Sequence, residues 1–294
     1  MIRAAIYGFG NIGHFVFDSL AETEDFEIAG IVSRSYRRDE YRGISVVRKI
    51  DDLKNAEVAV LCAGSMDTPD IAAELLERGI NTVDSFDIHG SICDVRSRLT
   101  PVAQAAGSAA IIAAGWDPGT DSVIRALLEA MAPKGLTHTD FGPGMSMGHT
   151  VAAKTVKGVR NALSMTIPLG TSIHRRNVYI EIEDGADIEE VTRAVKSHSY
   201  FSHDETHVIV VDDVDAVRDM GHGVDLTRKG SSGTTHNQNF RFTMSINNPA
   251  LTAQILVSCA RAVVKQSPGC YTLIEIPPVH LLSGDTEALI RRLV

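Results

Sequence analysis

The chain has 294 residues, enough for two packed units or one elaborated α/β unit. Hydrophobic residues make up 44% and charged residues 22%, a globular composition that argues against a disordered chain. The net charge of −9 argues against nucleic acid or an anionic membrane as partner, since both are bound through surplus Lys and Arg.

In chain order, Met1-Ile2-Arg3 runs straight into the apolar segment Ile2–Tyr7, which predicts a buried strand and no targeting segment. Asn11–Ala21 follows with helical spacing through Ile12, Val16 and Leu20. Phe26–Val32 and Val58–Cys62 read as strands and Pro69–Arg78 as a helix. Asn81–Asp84, a helix near Ile92–Ala106 and a strand at Ala109–Ala113 continue the series. Alternation of helices with continuously apolar strands predicts a parallel sheet covered on both faces.

After Gly119 the pattern changes. A helix over Asp121–Met131 precedes four period-two segments, Ser164–Ile167, Asn177–Glu183, His207–Val211 and Phe240–Ile246, with one helix, Ile188–Lys196, among them. Such alternation predicts a mixed or antiparallel sheet with one solvated face. A long helix over Pro249–Lys265 and a strand over Tyr271–Ile276 close the chain. The expected organisation is a dinucleotide-binding domain over 1–118, an α+β domain over 119–248 and a tail, 249–294, that by analogy packs back on the first domain. No apolar run reaches membrane-spanning length. Cys62, Cys93, Cys259 and Cys270 form no CxxC pair, so reduced thiols in the cytoplasm are expected.

Gly8-Phe9-Gly10-Asn11-Ile12-Gly13 is a complete GxGxxG between an apolar strand and a helical pattern, the context of a Rossmann dinucleotide fingerprint. The first glycine suits the tight turn, the second the approach of a pyrophosphate, and the third close helix–strand packing. About 20 residues beyond the third glycine, NAD enzymes carry an acid for the ribose 2′-OH. This chain has Ser33-Arg34-Ser35 there, with Arg37 and Arg38 behind, so a 2′-phosphate and hence NADP(H) is predicted.

Open α/β sheets bind ligands at the carboxyl ends of their strands. Three further strand ends therefore join the predicted crevice: Cys62-Ala63-Gly64-Ser65, Asp84-Ser85-Phe86-Asp87 and Ala114-Gly115-Trp116-Asp117-Pro118. The last two each set a carboxylate beside an aromatic ring.

With these segments in place, the chain resembles the meso-diaminopimelate dehydrogenase family. The likeness runs through GFGNIG, VSRS, LCAGS, VDSFDIH and AGWDPG, then FGPGMSMGH at Phe141–His149, HRRN at His174–Asn177, DMGHG at Asp219–Gly223, NNP at Asn247–Pro249 and YTLIEIPP. It implies a homodimer with a substrate and dimerisation domain built on a mixed sheet. It also implies NADP-dependent reversible oxidative deamination of meso-2,6-diaminopimelate at the D-carbon, giving L-2-amino-6-oxopimelate for lysine biosynthesis.

The matched positions then acquire expected roles. Asp87 and Asp117 hold the reacting ammonium, and one of them accepts its proton. Trp116 and Phe141 form an apolar wall, and Met147-Gly148 offer backbone N–H groups to a carboxylate. Thr166, Arg176, His222 and Asn248 grip the distal amino-acid end. Three departures stand out: Ser91 where many members have a third acid, Phe141 where many have Trp, and a short segment from Thr166 to His174. They suggest a broader D-amino-acid dehydrogenase or 2-keto acid reductive aminase as the alternative enzyme.

Other readings stand beside these. Asp84 is equally a turn cap, Asp87 and Asp117 could be acids at helix N-termini, and Trp116 and Thr166 taken alone read as core and strand residues. His222, flanked by glycines, reads as a loop residue. His203, Asp204 and His207 have metal-like spacing on a strand-like segment, and no metal is expected. Other NADP-linked reductases and a non-catalytic NADPH-binding regulator are the competing functions.

Overall fold

The computed structural model describes residues 1–217 and 221–294, apart from the side chain of Met147. Two compact units are formed, one from Met1–Ala126 with Pro249–Val294 and one from Leu127–Asn248.

In the first unit, β1 (Ile2–Tyr7) leads through the glycine turn into α1 (Asn11–Ala21), followed by β2 (Phe26–Val32), the short β3 (Glu40–Tyr41), β4 (Ile44–Val47) and β5 (Val58–Leu61). Then come α2 (Thr68–Glu77), β6 (Asn81–Asp84), α3 (Ile92–Ala106), β7 (Ala109–Ile112) and α4 (Thr120–Met131). β1 lies in the middle of an eight-stranded sheet and pairs in parallel with β2 and β5, while β6 and β7 extend the parallel run on one side.

Alternating side chains of the central strands feed two cores. Ala4 and Ile6 join Val16, Phe17 and Leu20 of α1, whereas Ala5 joins Leu75 and Leu76 of α2 and Leu99 of α3. Both faces are thus covered, and for that reason the strands read as continuous apolar runs rather than alternating ones. Val123 of α4 packs on the first core. The expected cut at Gly119 therefore falls inside this unit, whose first segment runs on to Ala126.

The second unit begins with β8 (Lys134–Phe141), β9 (Gly144–Met145) and α5 (Met147–Lys154). It continues with β10 (Val159–Gly170), β11 (Ile173–Ile182), α6 (Ile188–Ser197), β12 (Glu205–Val210), β13 (Gly221–Ser232) and β14 (Thr235–Asn247). A four-stranded sheet, β12-β11-β10-β9, is mixed, and a three-stranded sheet, β14-β13-β8, is antiparallel. The predicted segments Ser164–Ile167 and Phe240–Ile246 lie inside the longer β10 and β14, while Asn177–Glu183 and His207–Val211 overlap β11 and β12 and run one residue past their ends. β8, β9, β13 and α5 were not read from the sequence; in β13 the buried row includes His222 and Arg228 in place of an apolar series.

The tail returns to the first unit as α7 (Asn248–Val263), β15 (Gly269–Thr272) and α8 (Thr286–Leu293). α7 buries Ala253, Leu256, Val257 and Ala260 in the first core, and β15 pairs in parallel with β7. The expected strand Tyr271–Ile276 is corrected: pairing stops at Thr272 and a 3₁₀ turn covers Leu273–Glu275. Glu275 accepts hydrogen bonds from the Thr272 N–H at 2.8 Å and the Thr272 hydroxyl at 3.0 Å, closing a capping box that ends the strand.

Candidate active site

The fingerprint lies at the carboxyl end of β1. A Cβ on Gly8 would stand 2.7 Å from the Cys62 carbonyl oxygen, at a φ of +97° that side chains rarely adopt. A Cβ on Gly13 would stand 2.4 Å from the Gly8 carbonyl oxygen, so the third glycine permits the helix to meet the turn. A Cβ on Gly10 would meet nothing within 4 Å. Gly10, having no side chain, caps α1 without a side-chain hydrogen bond, and no acid occupies the first turn. Unclaimed N–H groups and a positive helix end facing open space fit a dinucleotide phosphate. Asn11 and Ile12 contribute to that first turn by their backbone, while Phe9 turns its ring into an aromatic cluster with Tyr36 and Tyr41.

A cavity of about 260 Å³ opens beside this turn, lined by Gly8, Ser33, Arg34, Ser35, Ala63 and Asp67 among others. Arg34 and Ser35 are exposed, as a 2′-phosphate ligand set requires, whereas Ser33 is buried. The Ser33 hydroxyl accepts from the Tyr36 N–H at 3.2 Å. The Arg48 side chain donates to the carbonyls of both Ser33 and Tyr36, which pins the loop from the neighbouring strand. Neither Arg48 nor Asp67 was singled out by sequence, since no motif marks them.

At the next strand end, Asp84 is a structural residue. It is fully buried and accepts from the Phe86 N–H at 2.9 Å and the Ala113 N–H at 3.2 Å, tying the ends of β6 and β7 together. Burial pushes its carboxyl up to about 6. That tie fixes the segment Ser85-Phe86-Asp87, whose Phe86 is buried and whose Asp87 is exposed. The Ser65 hydroxyl, on the loop after Cys62, Ala63 and Gly64, donates to Asp87 Oδ1 at 2.6 Å.

Beyond β7, the Ala114 N–H donates to the Asp84 carbonyl and the Gly115 N–H to the Pro118 carbonyl. Trp116 is buried. Asp117 is half-buried and receives a hydrogen-bonded ion pair from Arg125, two helical turns on in α4. Asp121, at the first turn of α4, is completely buried. Burial first, and then the Asp117 charge, push its carboxyl up to about 7. Arg125 and Asp121 were not predicted as site residues, for they lie outside the AGWDPG segment.

In the second unit the HRRN strand carries a polar cluster. Arg176 donates to the Thr166 hydroxyl on the paired strand and, through Nε at 2.7 Å, to Asp204 Oδ2. Thr166 is buried. His174, half-buried, accepts the Phe141 N–H at Nε2, 2.8 Å away. Burial and the Arg176 charge hold the pKa of His174 below the ordinary imidazole value. His149 is pushed down to about 4 by the same two causes, its Nδ1 lying 2.8 Å from the Ser146 hydroxyl.

His222 requires correction. It is a buried residue of β13, not a loop side chain, and burial lowers its pKa. A Cβ on Gly144 would stand 2.5 Å from the His222 Cα, so that glycine sets the approach of the β9 backbone to His222. A cavity of about 660 Å³ is lined by His222, Gly142, Asp140 and Asp225 among others. Gly148 is exposed on α5, and Asn248 is the first residue of α7. The Met147 side chain, and Asp219 and Met220 of DMGHG, lie outside the described residues. Of the metal-like trio, Asp204 is bound to Arg176 and His207 lies 2.7 Å from Glu205.

The structure therefore gathers the cofactor candidates at the carboxyl ends of neighbouring parallel strands β2, β1, β5, β6 and β7, and brings Thr166, Arg176 and Asp204 together on the mixed sheet. Comparison with known proteins adds the following. Residues 115–248 match the family described as the diaminopimelic acid dehydrogenase C-terminal domain. The chain is 57% identical to the meso-diaminopimelate D-dehydrogenase of Bacteroides fragilis, over 100% of this chain and 99% of that protein. Its structure is similar to that of the Corynebacterium glutamicum DAP dehydrogenase in complex with DAP, with a TM-score of 0.89, 29% identity, and coverage of 100% and 99%. It is also similar to an engineered D-amino acid dehydrogenase bound to NADP+, with a TM-score of 0.83, 27% identity and the same coverage.

Proposed function

This chain belongs to the meso-diaminopimelate dehydrogenase family, and from that premise we propose how its residues divide the work of a reversible, NADP-dependent oxidative deamination. The substrate is meso-2,6-diaminopimelate, attacked at its D-configured carbon, and the products are L-2-amino-6-oxopimelate, ammonia and NADPH. The observation that carries the reading is the 57% identity to a meso-diaminopimelate D-dehydrogenase along the whole chain.

When bound, NADP supplies the acceptor for the hydride that leaves the D-carbon. The uncapped start of α1 and the turn Gly8–Gly13 hold its diphosphate, and Arg34 with the Ser33-Ser35 segment holds the 2′-phosphate. The strand ends at Ala63–Ser65, Ser85–Phe86 and Ala114–Pro118 line the rest of its cradle.

Asp87 and Asp117 accept hydrogen bonds from the reacting ammonium. Their environments divide the roles. Asp117 is occupied by Arg125 and serves as a fixed anion that orients the nitrogen. Asp87 is exposed and, among the described residues, its carboxylate has only the Ser65 hydroxyl, on Oδ1, so it takes the proton the ammonium must lose before the carbon is oxidised. Water then adds to the resulting imine and ammonia leaves. Trp116 and Phe141 supply apolar surface. The Met147-Gly148 backbone offers N–H groups to a carboxylate, and Thr166, Arg176, His222 and Asn248 hold the distal amino-acid end, where the planar Arg fork suits a carboxylate.

No helix among the described residues is long and apolar enough to cross a membrane. The protein acts as a cytoplasmic homodimer in lysine biosynthesis on this reading, and sizing with light scattering checks the dimer.

The reaction is tested by following NADP reduction at alkaline pH with the meso, LL and DD isomers supplied separately. Turnover of the meso isomer and none of LL is expected. Tight NADPH binding without turnover of any isomer would instead identify a cofactor-binding regulator.

A further inference from the structure

Arg176 and Asp204 form a hydrogen-bonded ion pair. β11 and β12 run in parallel with Arg176 opposite Thr206, which places the turn before β12 beside the Arg176 side chain. Hydrogen bonds hold that turn: the Asp204 N–H donates to the Phe201 carbonyl at 3.2 Å, and the Thr206 hydroxyl lies 3.2 Å from the carbonyls of both Phe201 and Asp204. Phe201 is itself fully buried. The Asp204 carboxylate is thus carried on an anchored turn and not on a loose loop.

The pair leaves hydrogen-bonding capacity over on both sides. Arg176 uses Nε on Asp204 Oδ2 and Nη1 on Thr166, while Asp204 uses only Oδ2. Among the described residues, Arg176 Nη2 and Asp204 Oδ1 have no hydrogen-bond partner. The side chains are 14% and 30% exposed, so both charges are partly withdrawn from water yet reachable. The neighbouring imidazoles of His149, His174 and His222 are all held toward their neutral forms by burial. A cationic donor and an anionic acceptor, side by side, are what a zwitterionic α-amino-acid group requires.

We propose that Asp204 receives the distal ammonium of the substrate while Arg176 receives the distal carboxylate, which makes Asp204 a specificity-determining residue for an α-amino-acid end group. The inference rests on the function proposed above. An end group with a carboxylate alone meets an Arg whose charge Asp204 already neutralises, and it sits against the Asp204 carboxylate without a counter-charge. An apolar end leaves both groups unsatisfied. Only a zwitterion satisfies the two together, so the pair selects by mismatch as well as by contact.

The experiment compares kcat/KM for meso-2,6-diaminopimelate with that for D-2-aminopimelate, which keeps the chain and both carboxylates but lacks the distal amino group. The unmodified enzyme, Asp204→Asn and Asp204→Glu are measured. In Asp204→Asn the ratio is expected to fall about 10- to 100-fold, mainly through KM for the diamine, with partial recovery in Asp204→Glu. An equal loss on both substrates would overturn the inference, since it marks a role confined to bracing Arg176. So would a ratio within about twofold of the unmodified enzyme, a change too small for a lost charge-assisted hydrogen bond. Failure of the unmodified enzyme to oxidise meso-diaminopimelate at all would remove the proposed reaction, and this inference with it, before any variant is made.

Discussion

Asp121 shows how much chemistry one residue can hold outside any motif. It is completely buried on the first turn of α4, with Asp117 and Arg125 as charged neighbours. Its folded pKa of about 7 lies above the ordinary 3.8, so its contribution to stability is whole below pH 3.8 and is lost as pH rises through about 7. Asp121→Asn is therefore expected to raise the melting temperature at pH 8, by an amount equivalent to about 1–3 kcal/mol, with the gain closing toward pH 4. Thermal melts of both proteins across that range check it. Arg34 makes the opposite case, since its position after β2 marked it in the sequence. Arg34→Ala is expected to weaken NADPH binding about 10- to 100-fold and to change NADH binding little, as read by fluorescence titration. The partners Arg48 and Arg125 escaped the sequence reading, and Asp204 was read there beside two histidines and not beside Arg176, because each acts on a residue far from it in the chain or beyond the end of a motif.

At the scale of elements, legibility followed burial. β1, β2, β5, β6 and β7 are buried on both faces, and their apolar runs give them away. β13 is just as regular, yet its inward row is His222, Val224, Leu226 and Arg228. Only two of those four are apolar, so the period is invisible to a hydropathy reading. β9 is two residues long and depends on close backbone contact. Gly144→Ala tests that contact, because the new Cβ would stand 2.4 Å from the Gly221 carbonyl oxygen. It is expected to lower kcat/KM for meso-diaminopimelate at least about tenfold, through displacement of His222, while the NADPH dissociation constant stays within about twofold. Loss of cofactor binding in that variant would show that the damage spreads beyond the second unit.

For the molecule as a whole, the tail decides whether the first unit is complete. α7 fills one core and β15 adds an edge strand. A buried side chain, Arg261, binds both carboxylate oxygens of Asp25, the carbonyl of Leu281 at 3.0 Å, and the face of Phe26. The hydrogen bond from Arg261 is the main reason the Asp25 pKa is lowered. A carboxylate lowered in this way stabilises the fold above its ordinary 3.8 and loses that contribution as pH falls through the lowered value. Arg261→Met is expected to cost about 1–3 kcal/mol at pH 7, with the Asp25 share of the loss fading in acid, as urea melts at both pH values would show.

The sequence by itself determined the parallel sheet, the dinucleotide turn, and the family through its ordered motifs. Each of these is local: a run of apolar residues, a glycine at a fixed offset, or a short motif. Only the tertiary structure decided that Asp84 is a strut, that Asp117 is claimed by Arg125 and Asp87 is not, and that Asp204 belongs to Arg176 and not to a histidine trio. Those assignments depend on pairing distant segments and on how far each carboxylate is withdrawn from water. Neither quantity is written in spacing along the chain, because both arise when strands and helices close on a common core.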